Sequence, residues 1–240
     1  MVPFSPLDLT PQLWLDADDA STITSSSDNV SQWDDKSGNT YHVTQATGTA
    51  QPKTGTVTRN GRNVLDFDGT NDRLFRETDT ALGRNVTGLT VYWVASSDNN
   101  TANVQIIAFA TGTGTARVLS GMNSSSQFNA QGRTLDADSV AGANSSTLST
   151  FTWYATCAVF DYANTDLNLY VNRTADGSNT SFQTATTTSN TDSLSLSVGS
   201  NLSAAANFNG QIAEILVYHS AHSSTDREKV FDYLDGKWGT

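Results

Sequence analysis

The run Phe208-Asn-Gly-Gln-Ile-Ala-Glu-Ile-Leu-Val-Tyr-His219 decides how this chain is read. Five of the six positions from Ile212 to Val217 are apolar, which predicts a strand covered on both faces. Strict alternation puts Ala213, Ile215 and Val217 on one face and Ile212, Glu214, Leu216 and Tyr218 on the other. Gly210 suits a tight bend at the start of the run. The single charge, Glu214, must be paired or face a cavity, and a hydrogen-bonded structural carboxylate is the preferred reading over a catalytic one.

Outward from this run, the chain is built of short β-prone pieces. Leu13–Ala17, Val30–Trp33, Val64–Asp68, Leu89–Ala95, Val104–Ala110 and Leu194–Val198 read as strands. Phe151–Phe160 and Leu167–Val171 read as a hairpin. The tracts 111–146 and 172–192 are rich in Gly, Ser, Asn and Thr and read as long loops, with short strand candidates only at Arg117–Leu119 and Thr134–Leu135. Pro3, Pro6 and Pro11 predict an extended arm over 1–12. Near the end, Thr225-Asp-Arg-Glu228 reads as a capping box, and Val230, Phe231, Leu234 and Trp238 recur at helical spacing. One short helix over about 226–236 follows, stopping near Gly236, with its apolar stripe on the body of the protein. Residues 1–240 thus read as one all-β domain, a two-sheet antiparallel jelly-roll sandwich with a C-terminal helix.

Composition narrows the function. The chain carries a net charge of -11, and 21 of its 24 acidic residues are Asp, a turn and cap residue. No Lys/Arg cluster is present, which argues against a nucleic-acid partner. No run approaches membrane-spanning length. The one cysteine, Cys157, allows no intrachain disulfide and reads as a small buried hydrophobe. The start at Met1 shows neither the basic region nor the apolar core of a signal peptide. The three Glu residues, at 77, 214 and 228, are far apart, so no paired-Glu glycosidase arrangement is visible and no catalytic residue is assigned. Neighbouring strand sequences are read as offering Glu214 no acidic partner. His219 and His222 flank a turn and read as solvent-exposed.

Several stretches match one family pattern. Leu13-Trp-Leu-Asp-Ala-Asp-Asp19, Trp33-Asp-Asp-Lys-Ser-Gly-Asn39, Leu65-Asp-Phe-Asp-Gly-Thr-Asn-Asp72, Leu167-Asn-Leu-Tyr-Val-Asn172, the opening run and Tyr233-Leu-Asp-Gly-Lys-Trp-Gly239 fall in order along the whole chain. Together they resemble laminin-G-like domains of the concanavalin A-like lectin/glucanase superfamily, as found in stand-alone phage and bacterial structural modules. Arg173 departs from the pattern, standing where the family has Gly.

The resemblance implies the jelly roll and leaves function to the site. Such domains often hold Ca²⁺ at loop ends, and Asp66, Asp68, Asn71 and Asp72 offer oxygen ligands close together, although the same residues also suit hydrogen-bonded turns. The expected function is a non-catalytic virion surface protein, a capsid decoration or tail module, with other virion structural proteins or cell-surface glycans as partners. Homo-oligomerisation stays open. A carbohydrate-binding module of a secreted, extracellular bacterial protein and a glycan-cleaving enzyme using Asp residues are the alternatives. For glycan binding, the polar tracts 111–146 and 172–192 are the expected source of hydrogen bonds.

Overall fold

The computed structural model describes residues 3–99, 102–112 and 115–240. Its strands form two large antiparallel sheets and a two-stranded ribbon. The seven-stranded sheet runs Leu13–Asp16, Asn209–Tyr218, Leu89–Ser97, Trp153–Asp161, Asp166–Val171, Thr174–Asn179, with Leu65–Asp68 also paired to Asn209–Tyr218. The opening run is therefore interior, as its two-sided apolarity requires: Leu89–Ser97 lies along one edge, and the short strands Leu65–Asp68 and Leu13–Asp16 share the other. The nine-stranded sheet runs Ala141–Thr147, Gln127–Gly132, Ala116–Met122, Val104–Ala110, Ser195–Val198, Leu74–Arg76, Val43–Thr44, Asn29–Trp33, Ile23–Ser26. Between the sheets lies the main core, which includes Trp33, Phe67, Trp93, Phe109, Phe128 and Phe160.

Two features of the central strand depart from plain alternation. The register shifts between Ile212 and Glu214: Ile212 faces Ala95, and Glu214 faces Val94. The two residues Ala213 and Glu214 thus oppose one position, a β-bulge that reverses the facing of what precedes it. Ile212 joins Ile215 and Val217 between the sheets, while Ala213 moves to the opposite face with Leu216 and Tyr218.

The tract 111–146 is not a loop. Ala116–Met122, Gln127–Gly132 and Ala141–Thr147 are strands that build one end of the nine-stranded sheet, and Thr174–Asn179 adds an edge to the other. Their inward positions are filled largely by small side chains such as Ser120, Ala130, Ala143 and Ser145, so the usual β-branched signature is missing. Thr134 and Leu135 lie in a bend rather than a strand.

The arm is also not wholly extended. Pro6–Leu9 forms a 3-10 turn capped by Ser5 and Asp8. Proline opens such a turn readily, because its φ is preset and its missing N–H is not needed there.

The C-terminal helix, α1, spans Ser224–Trp238. Its N-cap is Ser223, whose hydroxyl accepts from Asp226 N, rather than Thr225; Glu228 turns outward to Arg173. The helix passes through Gly236 and ends at Gly239, held at φ 65 in the left-handed region. It continues because its last turn is caught: the ribbon Thr58–Arg59/Arg62–Asn63 sends Arg59, Asn60 and Arg62 to the carbonyls of Lys237 and Trp238. Val230, Phe231, Leu234 and Trp238 pack on Trp14, Tyr92, Leu216 and Tyr218, covering the outer face of the seven-stranded sheet. No helix among the described residues is long and apolar enough to cross a membrane.

Arg173 explains its own departure from the pattern. Asn172 and Arg173 form the two-residue turn between Asp166–Val171 and Thr174–Asn179, both with positive φ, 45° and 70°, where Gly is preferred. The guanidinium offsets that strain by reaching α1, at 2.6–2.7 Å from Glu228, Asp232 and Asp235.

Candidate functional site

Glu214 lies under α1, 1 % exposed. Trp14 Nε1 (2.7 Å) and the Tyr233 hydroxyl (2.8 Å) donate to one carboxylate oxygen, and Trp238 Nε1 (2.7 Å) and Lys237 Nζ (3.0 Å) to the other. Burial pushes its pKa upward and Lys237 pulls against that shift. Three of the four partners can only donate, a set that matches an ionised carboxylate. An acidic neighbour does exist, contrary to the sequence expectation: Asp16 pairs with Glu214 across the strands. Lys237 Nζ bridges the two carboxylates, and Lys36 joins Asp16 to Asp19. Every Glu214 oxygen is saturated and the group faces the helix. The arrangement clasps α1 to the sheet and turns the Glu214 carboxyl to the helix and not to a cleft, where acid–base chemistry would need it.

The matched turns also prove to be scaffolding. Asp35 accepts from Trp14 N, Ser37 N, the Ser37 hydroxyl and Tyr41 N, so the Trp33–Asn39 turn holds the first strand in place. Asp68 Oδ1 accepts from Thr70 N and Asn71 N, and Asp72 Oδ2 from Asp68 N. Gly69, at φ 72, is required because a Cβ there would come within 2.6 Å of Asn209 Cβ. Of the calcium candidates, Asp66, Asp68 and Asp72 line one groove together with Lys53, whereas Asn71 does not line it. Asp66 Oδ1 accepts from Gln211 at 2.8 Å. Burial, with Asp68 and Asp66 nearby, raises the Asp72 pKa to about 6. Among the described residues no three His, Cys, Asp or Glu side chains converge in metal-binding geometry.

Neither histidine after the central strand is exposed. His219 Nε2 accepts from Gly83 N at 2.9 Å. His222 is buried, with its Nδ1 2.9 Å from the Tyr92 hydroxyl. Burial depresses both pKa values to about 4. The turn places them beneath α1 and the 81–88 loop, which sequence spacing could not show. Cys157 is buried beside Tyr92, as a small hydrophobe would be.

With one outer face closed by α1, the outer face of the nine-stranded sheet is the open one. There a single cross-strand row carries Gln105, Gly121, Asn129 and Asn144 on four neighbouring strands. Phe128 and Ala130 point into the core, so Asn129 and Gln131 point away from it. Gly121 lets the neighbouring strand approach closely, since a Cβ there would meet the Val104 carbonyl at 2.0 Å. The result is a trough of about 360 Å³ lined by Asn103, Gln105, Asn123, Asn129, Gln131 and Asn144, with Met122. Its lining carries no charge. Asn129 Nδ2 donates to Asn144 Oδ1 and Asn123 is spent on Gln127 and its own turn, which leaves Asn129 Oδ1 as an acceptor and Asn144 Nδ2 as a donor, a pair that suits a neutral polyhydroxylated ligand.

The sequence reading placed such hydrogen-bonding groups in loops; most of them stand on strands. The alternation Phe128-Asn-Ala-Gln-Gly132 was the available signal. The most exposed large apolar side chain among the described residues, Phe151 (71 %), stands on the loop that leaves the sheet after Thr147, at φ 54.

Comparison with known proteins agrees with this architecture. A laminin-G family profile, described as the concanavalin A-like lectin/glucanases superfamily, matches residues 83–226. No curated protein sequence matches. Among solved structures, a botulinum neurotoxin serotype G binding domain superposes with a TM-score of 0.66 at 11% identity, over 96% of this chain and 54% of that one. A Trypanosoma rangeli sialidase gives 0.61 at 13%, over 94% of this chain and 32% of that one. A heptameric SAP-like pentraxin from Limulus polyphemus gives 0.52 at 16%, over 66% of this chain and 76% of that one. The chain thus spans about half of the toxin chain and a third of the sialidase. At these identities the likeness is one of fold.

Proposed function

The chain belongs to the concanavalin A-like lectin/glucanases superfamily, and on that premise we propose that it is a non-catalytic glycan-binding protein whose ligand lies in the amide-lined trough of the nine-stranded sheet. The observation that carries the reading is the cross-strand row Gln105–Gly121–Asn129–Asn144, which sets three amides abreast on the face that α1 leaves open. Sugars present closely spaced hydroxyls that both donate and accept, and such a row supplies both in a fixed geometry without perturbed pKa values. The test is a glycan array followed by calorimetry. A variant carrying Asn129→Ala and Asn144→Ala should keep its melting temperature within a few degrees and lose about tenfold or more in affinity, the size expected for two direct hydrogen bonds. Unchanged affinity removes the trough from the site.

Location on a virion surface belongs to the same proposal. Its support is the resemblance of the ordered motifs to phage laminin-G-like modules and the acidic, Lys/Arg-poor surface. Mass spectrometry of purified particles tests it; recovery only from a culture supernatant would favour a secreted carbohydrate-binding module.

A further inference from the structure

Resting on the glycan-binding reading, we propose that the bound sugar is N-acetylated, with its acetamido group seated in a second depression that adjoins the trough. Gln105 belongs to both. Where the trough is walled by amides, the second depression, of about 450 Å³, is walled by Ala116, Leu119, Val140, Leu194 and Leu202. Leu194 is 45 % exposed there, so its side chain is available to an apolar group of a ligand.

A 2-acetamido group makes three demands: an apolar wall for its methyl, an acceptor for its N–H and a donor for its carbonyl. The leucine-rich wall meets the first. Gln105 Oε1 meets the second: it is shielded from water and accepts no hydrogen bond, an unusual state for a buried amide oxygen. The terminal torsion of Gln is soft, so a small turn delivers that oxygen to the depression it borders. Asn201, on the same wall, meets the third. Its Oδ1 is engaged by Ser203 N and Ala205 N, which leaves Nδ2 as the donor. Arg133 also lines the depression, but its Nε and one terminal nitrogen are spent on the carbonyls of Ala116 and Asp138 at 2.9 Å each, so it acts as wall and not as an anion receptor. A plain 2-hydroxyl can still donate to Gln105 Oε1, so it is the apolar wall, which only the acetamido methyl covers, that separates the two sugars.

The experiment is a glycan array of matched pairs, glycans ending in N-acetylglucosamine or N-acetylgalactosamine against the same glycans ending in glucose or galactose, with calorimetry on the best pair. Binding should favour the acetamido member by about tenfold or more. Leu194→Ser, an exposed position whose change leaves the fold intact, should reduce that preference to a few-fold while the 2-hydroxyl member binds as before. Gln105→Leu, which alters the trough as well, should weaken both members of the pair. Equal binding of both members, or a preference for the 2-hydroxyl sugars, overturns the acetamido assignment and leaves the trough reading standing. Binding to no glycan on the array overturns both.

Discussion

Replacing Glu214 by Gln separates a clasp from a catalyst. The change keeps the shape and removes the charge. In the parent, each carboxylate oxygen accepts two hydrogen bonds, from Trp14 and Tyr233 on one side and from Trp238 and Lys237 on the other. A Gln turned with its NH₂ toward Trp238 and Lys237 makes two donor–donor collisions, and turned toward Trp14 and Tyr233 it makes one, with Trp14, since the phenol can accept. Lys237, 11 % exposed at its side chain, then keeps only Asp16 as a carboxylate partner.

Breaking a buried pair from one side costs about 3–5 kcal/mol. A domain of this size holds about 5–15 kcal/mol in all, and each kcal/mol moves the melting temperature by about 2–4 °C. The expected loss is therefore roughly 6–20 °C by these scales, read by circular dichroism or differential scanning calorimetry at pH 7. Glycan binding below the transition should persist. A shift under about 2 °C would refute the clasp, because the desolvated donors would then have no measurable need of the charge. Polysaccharide cleavage by the parent that vanishes in the variant would make Glu214 catalytic and overturn the non-enzymatic reading.

Four further expectations follow from the same geometry. Truncation after Ser223 strips Val230, Phe231, Leu234 and Trp238 from the sheet; at about 1.5–3 kcal/mol per buried side chain the loss rivals the whole stability of the domain, so the truncated chain should show no cooperative melting transition. Because burial lowers the pKa values of His219 and His222 to about 4, their stabilising contribution is complete above about pH 6.5 and is lost as pH falls toward 4; His222→Gln should flatten that part of a stability–pH curve, and an unchanged slope would sink the assignment. Asp72, raised to about 6, acts oppositely, costing stability as pH rises through 6, so Asp72→Asn should stabilise at pH 7 and steepen the acid loss. Calcium at millimolar concentration should leave the melting temperature unmoved, since Asp66, Asp68 and Asp72 are engaged in hydrogen bonds beside Lys53; a rise reversed by EDTA would restore the metal reading.

The sequence alone determined the architecture and its seam. Apolar density over Ile212–Val217 required an interior strand, and the spacing of Val230, Phe231, Leu234 and Trp238 required a helix docked by one face. Both are local patterns, written in consecutive side chains. The ordered motifs located the turns, and Asp35 and Asp68 show why those residue types recur: each holds several backbone N–H groups at once. The exact facing of Ala213 was beyond the sequence, because a bulge is set by how the partner strands fit and not by the strand's own composition.

Tertiary structure decided the rest. Gly, Ala, Ser and Asn in 111–146 look like loop chemistry one residue at a time. They become a sheet when Val104–Ala110 offers an edge to pair with, the free energy coming from backbone hydrogen bonds that carry no composition signature. The trough exists only because that pairing sets Gln105, Gly121, Asn129 and Asn144 abreast, positions up to 39 residues apart in the chain. The partners of Glu214 likewise come from both ends of the chain, Trp14 at one and Trp238 at the other. Local pattern fixes which elements form; which side chains meet across them depends on register and on what each face is covered by, and that is settled only when the sheets close and the helix lies down.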